Sequence, residues 1–170
     1  MSADPVELEV LGVRRQADPD QVVVLLLDIA GRRLLPVVVG PVEGAAIAAG
    51  HAQRSAPRPM THDLLVALLD ACGTTLDAVE VTELRDGVFH AALILADGRR
   101  VDSRASDAIA VAVRVRCPVR CAADVLDEAG LPVQEHTPEE QVAEFRAFLD
   151  TVDPDDFLGG ADPAPPGGPV

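Results

Sequence analysis

At 170 residues, with a formal net charge of −14, no lysine and four phenylalanines as the only Phe, Tyr or Trp side chains, the chain has the length of one domain plus a tail and enough residues to bury a core. The acidic balance gives no long-range attraction to a polyanion, and the shortage of aromatics argues against a platform on which bases stack. No window nears the ~18 consecutive apolar residues of a membrane span, and Met1 to Pro5 carries neither a basic nor an apolar leader, so no membrane anchor or secretory leader is expected.

Val6 to Val13 alternates Val and Leu with other residues and reads as a strand. Asp18-Pro19-Asp20 is a turn, Gln21 to Asp28 a continuous Val/Leu run short enough for a buried strand, and Arg33 to Val39 a third strand after the Ala30-Gly31-Arg32 turn. Glu43 to Gln53 predicts a helix of unusually small side chains, with Gly44, Ala45, Ala46, Ala48, Ala49 and Gly50 allowing close approach of another backbone. After the rigid connector Ser55 to Pro59, a second helix runs from Thr61 as N-cap to Gly73 just past its end. Asp63 suits its first turn, and Leu64, Leu65, Leu68 and Leu69 make one apolar face.

Ala78 to Leu84 and Val88 to Ala96 flank Asp86-Gly87, a strong hairpin signal, and Asp97-Gly98 leads into Arg99 to Ser103 as the last strand of a second meander. Ser106 is placed to cap a helix that ends before Cys117-Pro118, with Asp107 in its first turn. A short strand at Val119 to Cys121 and a short helix at Ala123 to Ala129 follow, and the domain is expected to cover residues 1–132. Thr137-Pro138-Glu139-Glu140 is a capping box with Pro in the first turn, so residues 137–150 predict a C-terminal helix with Val142, Phe145, Phe148 and Leu149 on one face. Residues 153–170, dominated by Pro, Gly and Asp, are expected to be a disordered tail.

Two segments read alike: Gly40 to Ala48 and Arg104 to Ala112. Each follows a strand-like run, and each puts an acid, Glu43 or Asp107, at the same position near a helix start. The spacing, about 61 to 64 residues, is too long and the copies too few for a solenoid, so the expected architecture is one α+β domain of two related halves, each with three strands then two helices.

Four ordered stretches carry a resemblance. They are Leu35 to Ala48 (LPVVVGPVEGAAIA), Arg58 to Leu65 (RPMTHDLL), Leu84 to Phe89 (LRDGVF) and Asp102 to Ala110 (DSRASDAIA). Together they resemble the bifunctional nuclease domain family over residues 6 to 132. The resemblance implies two duplicated β3α2 units sharing one strongly curved mixed sheet, assembly into homodimers or larger homo-oligomers, and activity on DNA and RNA. It supplies no catalytic set to carry over.

Site residues are therefore argued from chemistry. A metal-dependent nuclease needs two or three carboxylates converging on Mg²⁺ or Mn²⁺. Glu43, Asp102 and Asp107 are the candidate ligands, and Glu43, His62, Asp63 and Asp107 the candidate catalytic groups, with His62 as general acid or base. Arg104 and Ser106, beside helix N-terminal amides, are the candidate phosphate contacts. Simpler roles compete with each. In the competing reading Glu43, Asp63 and Asp107 only complement helix dipoles, and Arg104 bridges to Glu43 or Asp107 and braces the halves. Asp86 and Asp97 read as turn formers, and Cys72, Cys117 and Cys121 as small hydrophobes without disulfide or zinc spacing, which fits a reducing, cytoplasmic location.

Charge does not forbid a nucleic-acid partner. Residues 133–170 hold one Arg and nine acids, whereas residues 1–132 hold 13 Arg against 19 acids, so the domain is far less repulsive than the total. The reading is a divalent-metal-dependent nuclease of broad specificity acting on DNA or RNA. The alternative is a non-catalytic, homo-oligomeric binding or regulatory module.

Overall fold

The Val/Leu-rich runs fold as strands and the Ala-rich and Leu-rich stretches as helices, in a computed structural model that describes residues 4–15 and 21–133. The expected Asp18 to Asp20 turn, the 137–150 helix and the 153–170 tail lie outside the described residues. Three strands come first: β1 (Val6–Arg15), β2 (Val22–Asp28) and β3 (Arg33–Val39). Helices α1 (Pro41–His51) and α2 (Thr61–Ala71) follow. The second run is β4 (Leu76–Arg85), β5 (Val88–Leu95), β6 (Arg100–Arg104), α3 (Ala105–Val115), β7 (Val119–Cys121), α4 (Ala123–Ala129) and β8 (Leu131–Pro132).

All eight strands join one mixed sheet in the order β6-β5-β4-β7-β1-β2-β3-β8. Only β4 and β7 pair in parallel; every other neighbouring pair is antiparallel. The short β7 is the seam: it pairs with β1 on one side and β4 on the other, joining the two meanders. The fold is thus α+β.

The core explains the pattern. On β2 and β3, Val22, Val24, Leu26, Leu35, Val37 and Val39 are buried, each contributing about 1.5–3 kcal/mol of apolar burial. Helix α3 buries eight residues, Ala105, Ser106 and Ala108 to Val113. Small residues let α1 approach, as anticipated. A β-carbon at Gly50 would lie 2.8 Å from a Val113 methyl, and one at Gly44 2.6 Å from a Val22 methyl.

Two helix starts differ from the sequence expectation. Helix α1 starts at Pro41, because proline suits a first-turn position whose N–H needs no intrahelical partner. Helix α2 has Met60, not Thr61, as N-cap; the Asp63 carboxylate accepts the Met60 N–H at 2.9 Å and ties down that turn. Its far end is as expected: Gly73 has φ +69°, and the Gly73 and Thr74 N–H groups donate to Asp70 O and Leu69 O in a Schellman closure. Asp86 and Gly87 both have positive φ, the twist a two-residue hairpin requires. The apolar face of α2 splits: Leu65 and Leu69 pack on the core, while Leu64 and Leu68 remain exposed.

Candidate functional site

Two helices that each follow the third strand of a meander present an acid at their third residue: Glu43 on α1 and Asp107 on α3. Arg104, the N-cap residue of α3, lies between them. Its Nε donates to Asp107 Oδ2 at 2.6 Å, its Nη2 to Asp107 Oδ1 at 3.0 Å, and its Nη1 to Glu43 Oε1 at 3.1 Å. Where α3 has Arg104 as its N-cap, α1 has Gly40. A β-carbon there would collide with the Glu43 carboxylate, so the bare backbone leaves Glu43 its place.

His62, the second residue of α2, closes the constellation. Its Nε2 lies 3.0 Å from Asp107 Oδ1, and its side chain is only 14% exposed. The guanidinium of Arg104 holds the Asp107 carboxyl below the usual aspartate range, and His62 reinforces this. The same contact with Asp107 raises Arg104 above its ordinary value.

Asp63 points to a different partner. Its Oδ1 accepts Arg114 Nε at 2.6 Å and its Oδ2 the Met60 N–H, and these bonds, led by Arg114, lower its pKa. Arg114 also donates through Nη1 to Ala46 O and Ala110 O. One largely buried guanidinium therefore ties α1, α2 and α3 together and holds the start of α2, with His62, beside α3. Sequence reasoning missed this role. Arg114 and Asp63 are 51 residues apart, and Arg114 alone on an apolar helix was the available clue.

Of the expected residues, then, Glu43, His62, Arg104 and Asp107 come together. Asp63 braces the site from behind. Ser106 is at the second position of α3, nine-tenths buried, and is not presented beside Arg104 as a phosphate contact. Its expected capping position is taken by Arg104, because the helix starts one residue before it. Asp102 is exposed on the edge strand β6, opposite Ala92 and about 7 Å of strand back from Arg104.

Mg²⁺ or Mn²⁺ does not fit this arrangement. Both Asp107 oxygens and one Glu43 oxygen already serve a guanidinium, and among the described residues no three His, Cys, Asp or Glu side chains are gathered so that they could hold a metal ion. A cleft of about 700 Å³ lies elsewhere, beside His51, Arg116 and Cys117, and none of the four site residues lines it. Convergent charge outweighs cavity size here, because phosphoryl chemistry depends on placed charges. The cysteines offer no nucleophile: burial pushes Cys117 up to about 11 and Cys121 up to about 12, and Cys72, although exposed, is remote from these contacts. No helix among the described residues is long and apolar enough to cross a membrane.

Comparison with known proteins agrees with the motifs. The family model of the bifunctional nuclease domain matches residues 24–134. An uncharacterized protein of Mycobacterium tuberculosis is 39% identical over 159 residues, covering 89% of this chain and 97% of the relative. Bifunctional nuclease 1 of Oryza sativa subsp. indica is 26% identical over 140 residues, covering 79% of this chain and 42% of that protein.

Proposed function

The chain belongs to the bifunctional nuclease domain family, and we propose that it is a nuclease of broad specificity that hydrolyses phosphodiesters of DNA and RNA at the Glu43–His62–Arg104–Asp107 constellation. The observation that carries this reading is the joint placement of an oriented imidazole and an outward-facing guanidinium. Of the five N–H donors of Arg104, three serve the carboxylates. The remaining two, one on each terminal nitrogen, have no protein partner among the described residues, and the side chain is 65% exposed. That edge suits two oxygens of a phosphodiester.

In the tautomer that donates Nε2–H to Asp107, the other ring nitrogen, Nδ1, carries the lone pair. It accepts a proton from a water molecule while the water oxygen forms the new bond to phosphorus. The bond from phosphorus to the leaving oxygen breaks, and that oxygen takes up a proton from the imidazolium or from solvent. Asp107 stabilises the imidazolium, and Arg104 the charge that grows on the phosphoryl oxygens. Glu43 holds the guanidinium in register. Recognition through phosphate alone accounts for indifference to sequence and to sugar.

The test is cleavage of single-stranded DNA and RNA by homogeneous protein, comparing wild type with Glu43→Ala and Asp107→Ala, each with Mg²⁺, Mn²⁺ or EDTA. The proposal expects cleavage of both polymers by wild type and its loss in folded Asp107→Ala. Equal rates in all three proteins would place the activity elsewhere.

A second reading, a homo-oligomeric binding module, is favoured by one observation. Met60, Leu64 and Leu68 form a row at four-residue spacing on α2, exposed at 48%, 61% and 55%. Self-association through this row is compatible with either function. Light scattering after size exclusion should give a dimer or larger species for wild type and a smaller one for Leu64→Asp; a wild-type monomer would remove the support.

A further inference from the structure

We propose that the pocket between the end of α1 and the start of α2 is a second anion site, which takes a phosphate monoester between Arg54 and the free edge of Arg114. The pocket holds about 380 Å³, and none of Glu43, His62, Arg104 and Asp107 lines it. Arg114 does line it, although only 10% of its side chain is exposed. Three of its five N–H donors are used inside the protein: Nε on Asp63 Oδ1, and Nη1 on Ala46 O and Ala110 O. The two on Nη2 have no partner among the described residues. No sealed side-chain nitrogen or oxygen among those residues lacks a partner, so Nη2 reaches solvent. The guanidinium fits there because residue 50 is glycine; a β-carbon would lie 2.7 Å from Nη1.

The end of α1 supplies the second cation. Gln53 is left-handed, at φ +52°, and the Gln53 and Arg54 N–H groups donate to Gly50 O and Ala49 O. Glycine is usual in such a closure, but here the Gln53 amide pins the turn by donating to Gly50 O and Val113 O. Arg54, next in the chain, lines the pocket with Ser55, and its side chain has no partner among the described residues. The one acid in the lining is Asp63, and Arg114 Nε and the Met60 N–H engage its two oxygens. Two arginines against one acid leave a surplus of one positive charge, on a chain whose net charge is −14. A monoester dianion spreads two charges over three oxygens. That matches two guanidinium groups and a hydroxyl better than the single charge and two oxygens of a carboxylate. Ala56, Pro59 and Val66 form an apolar wall beside them, where the organic group of the ester has room. This assignment does not rest on the hydrolase reading.

Calorimetric titration of uridine 5′-monophosphate into full-length wild type, Arg54→Gln and Arg104→Gln, in EDTA and at fixed ionic strength, tests the inference. Inorganic phosphate and uridine are the comparison ligands. One saturable site is expected in wild type, and it should persist in Arg104→Gln. Arg54→Gln should raise its Kd by at least about tenfold, the scale of one lost charge-assisted hydrogen bond. Inorganic phosphate should bind more weakly than the monoester, and uridine should not bind. Four results would each overturn the inference: no saturable binding by wild type, wild-type affinity in Arg54→Gln, loss of the site in Arg104→Gln alone, or uridine binding as tightly as its monophosphate. Arg54 is exposed, so its variant should keep the wild-type circular dichroism. If Arg104→Gln unfolds, the comparison of wild type with Arg54→Gln still decides. A wild type that cleaves nothing would leave this result standing, and an active nuclease without the site would sink this inference alone.

Discussion

His62→Ala is expected to lower kcat/KM for single-stranded DNA and RNA by about 100- to 10,000-fold, the range a positioned general base supplies. Of the two acids beside it, neither is as well placed to take the proton. Asp107 is held ionised and below the usual aspartate range by Arg104, which makes it a weak base, and Glu43 is engaged by the same guanidinium. His62→Gln is the informative companion, because its amide can still donate to Asp107 but cannot accept a proton productively. A loss in His62→Gln equal to that in His62→Ala assigns proton transfer. Recovery of most of the activity in His62→Gln would reduce His62 to a positioning role. Both variants should keep the wild-type melting curve, since the side chain lies at the first turn of a helix that buries no residue fully.

The second large effect is on stability. Asp28 is 1% exposed, and its carboxylate accepts the Gly31 N–H at 2.8 Å and the Arg33 Nε and Nη2 at 3.1 and 3.0 Å. It joins the end of β2 to the start of β3, and Arg33 continues to Asp127 on α4. Asp28→Ala removes a buried carboxylate, leaving the half-buried Arg33 guanidinium with Asp127 alone and the Gly31 N–H without its acceptor. A loss of about 3 kcal/mol in urea unfolding is expected, because breaking one side of a buried pair costs more than the pair itself contributes. A loss below about 1 kcal/mol would mean that water reaches the pair and screens it. Cleavage per folded molecule should not change, since Asp28 and Arg33 touch none of the four site residues.

Local signals account for what could be read in advance. Asp86-Gly87 marks a hairpin because only a few residues tolerate two successive positive φ values, and Gly73 closes α2 for the same reason. The small residues of α1 announced a close approach because a β-carbon at Gly44 or Gly50 has nowhere to go. The matched positions of Glu43 and Asp107 singled out two acids that share one guanidinium; the sequence offers a bridge from Arg104 to one of them, and it reaches both.

Long-range contacts carried no such signal. His62 meets Asp107 across 45 residues and Arg114 meets Asp63 across 51, and no spacing rule encodes either pairing. The acids at 43, 102 and 107 read alike as metal ligands because composition cannot say which arginine neutralises which acid. Ser106 looked like a cap because serine usually is one; the eight buried residues of α3 turned that position inward instead. The two-residue strand β8 is too short for any periodicity to reveal.

The most direct test of the account is single-turnover cleavage of labelled single-stranded DNA and RNA by homogeneous wild type and by Asp107→Asn, an isosteric change that keeps the side chain's shape while removing its charge. The account predicts cleavage by wild type and a loss of about 100-fold or more in a variant that melts like wild type, because His62 loses its orienting carboxylate and Arg104 its main partner. Cleavage at the same rate in both, or none in wild type, would contradict a nuclease site at Glu43, His62, Arg104 and Asp107.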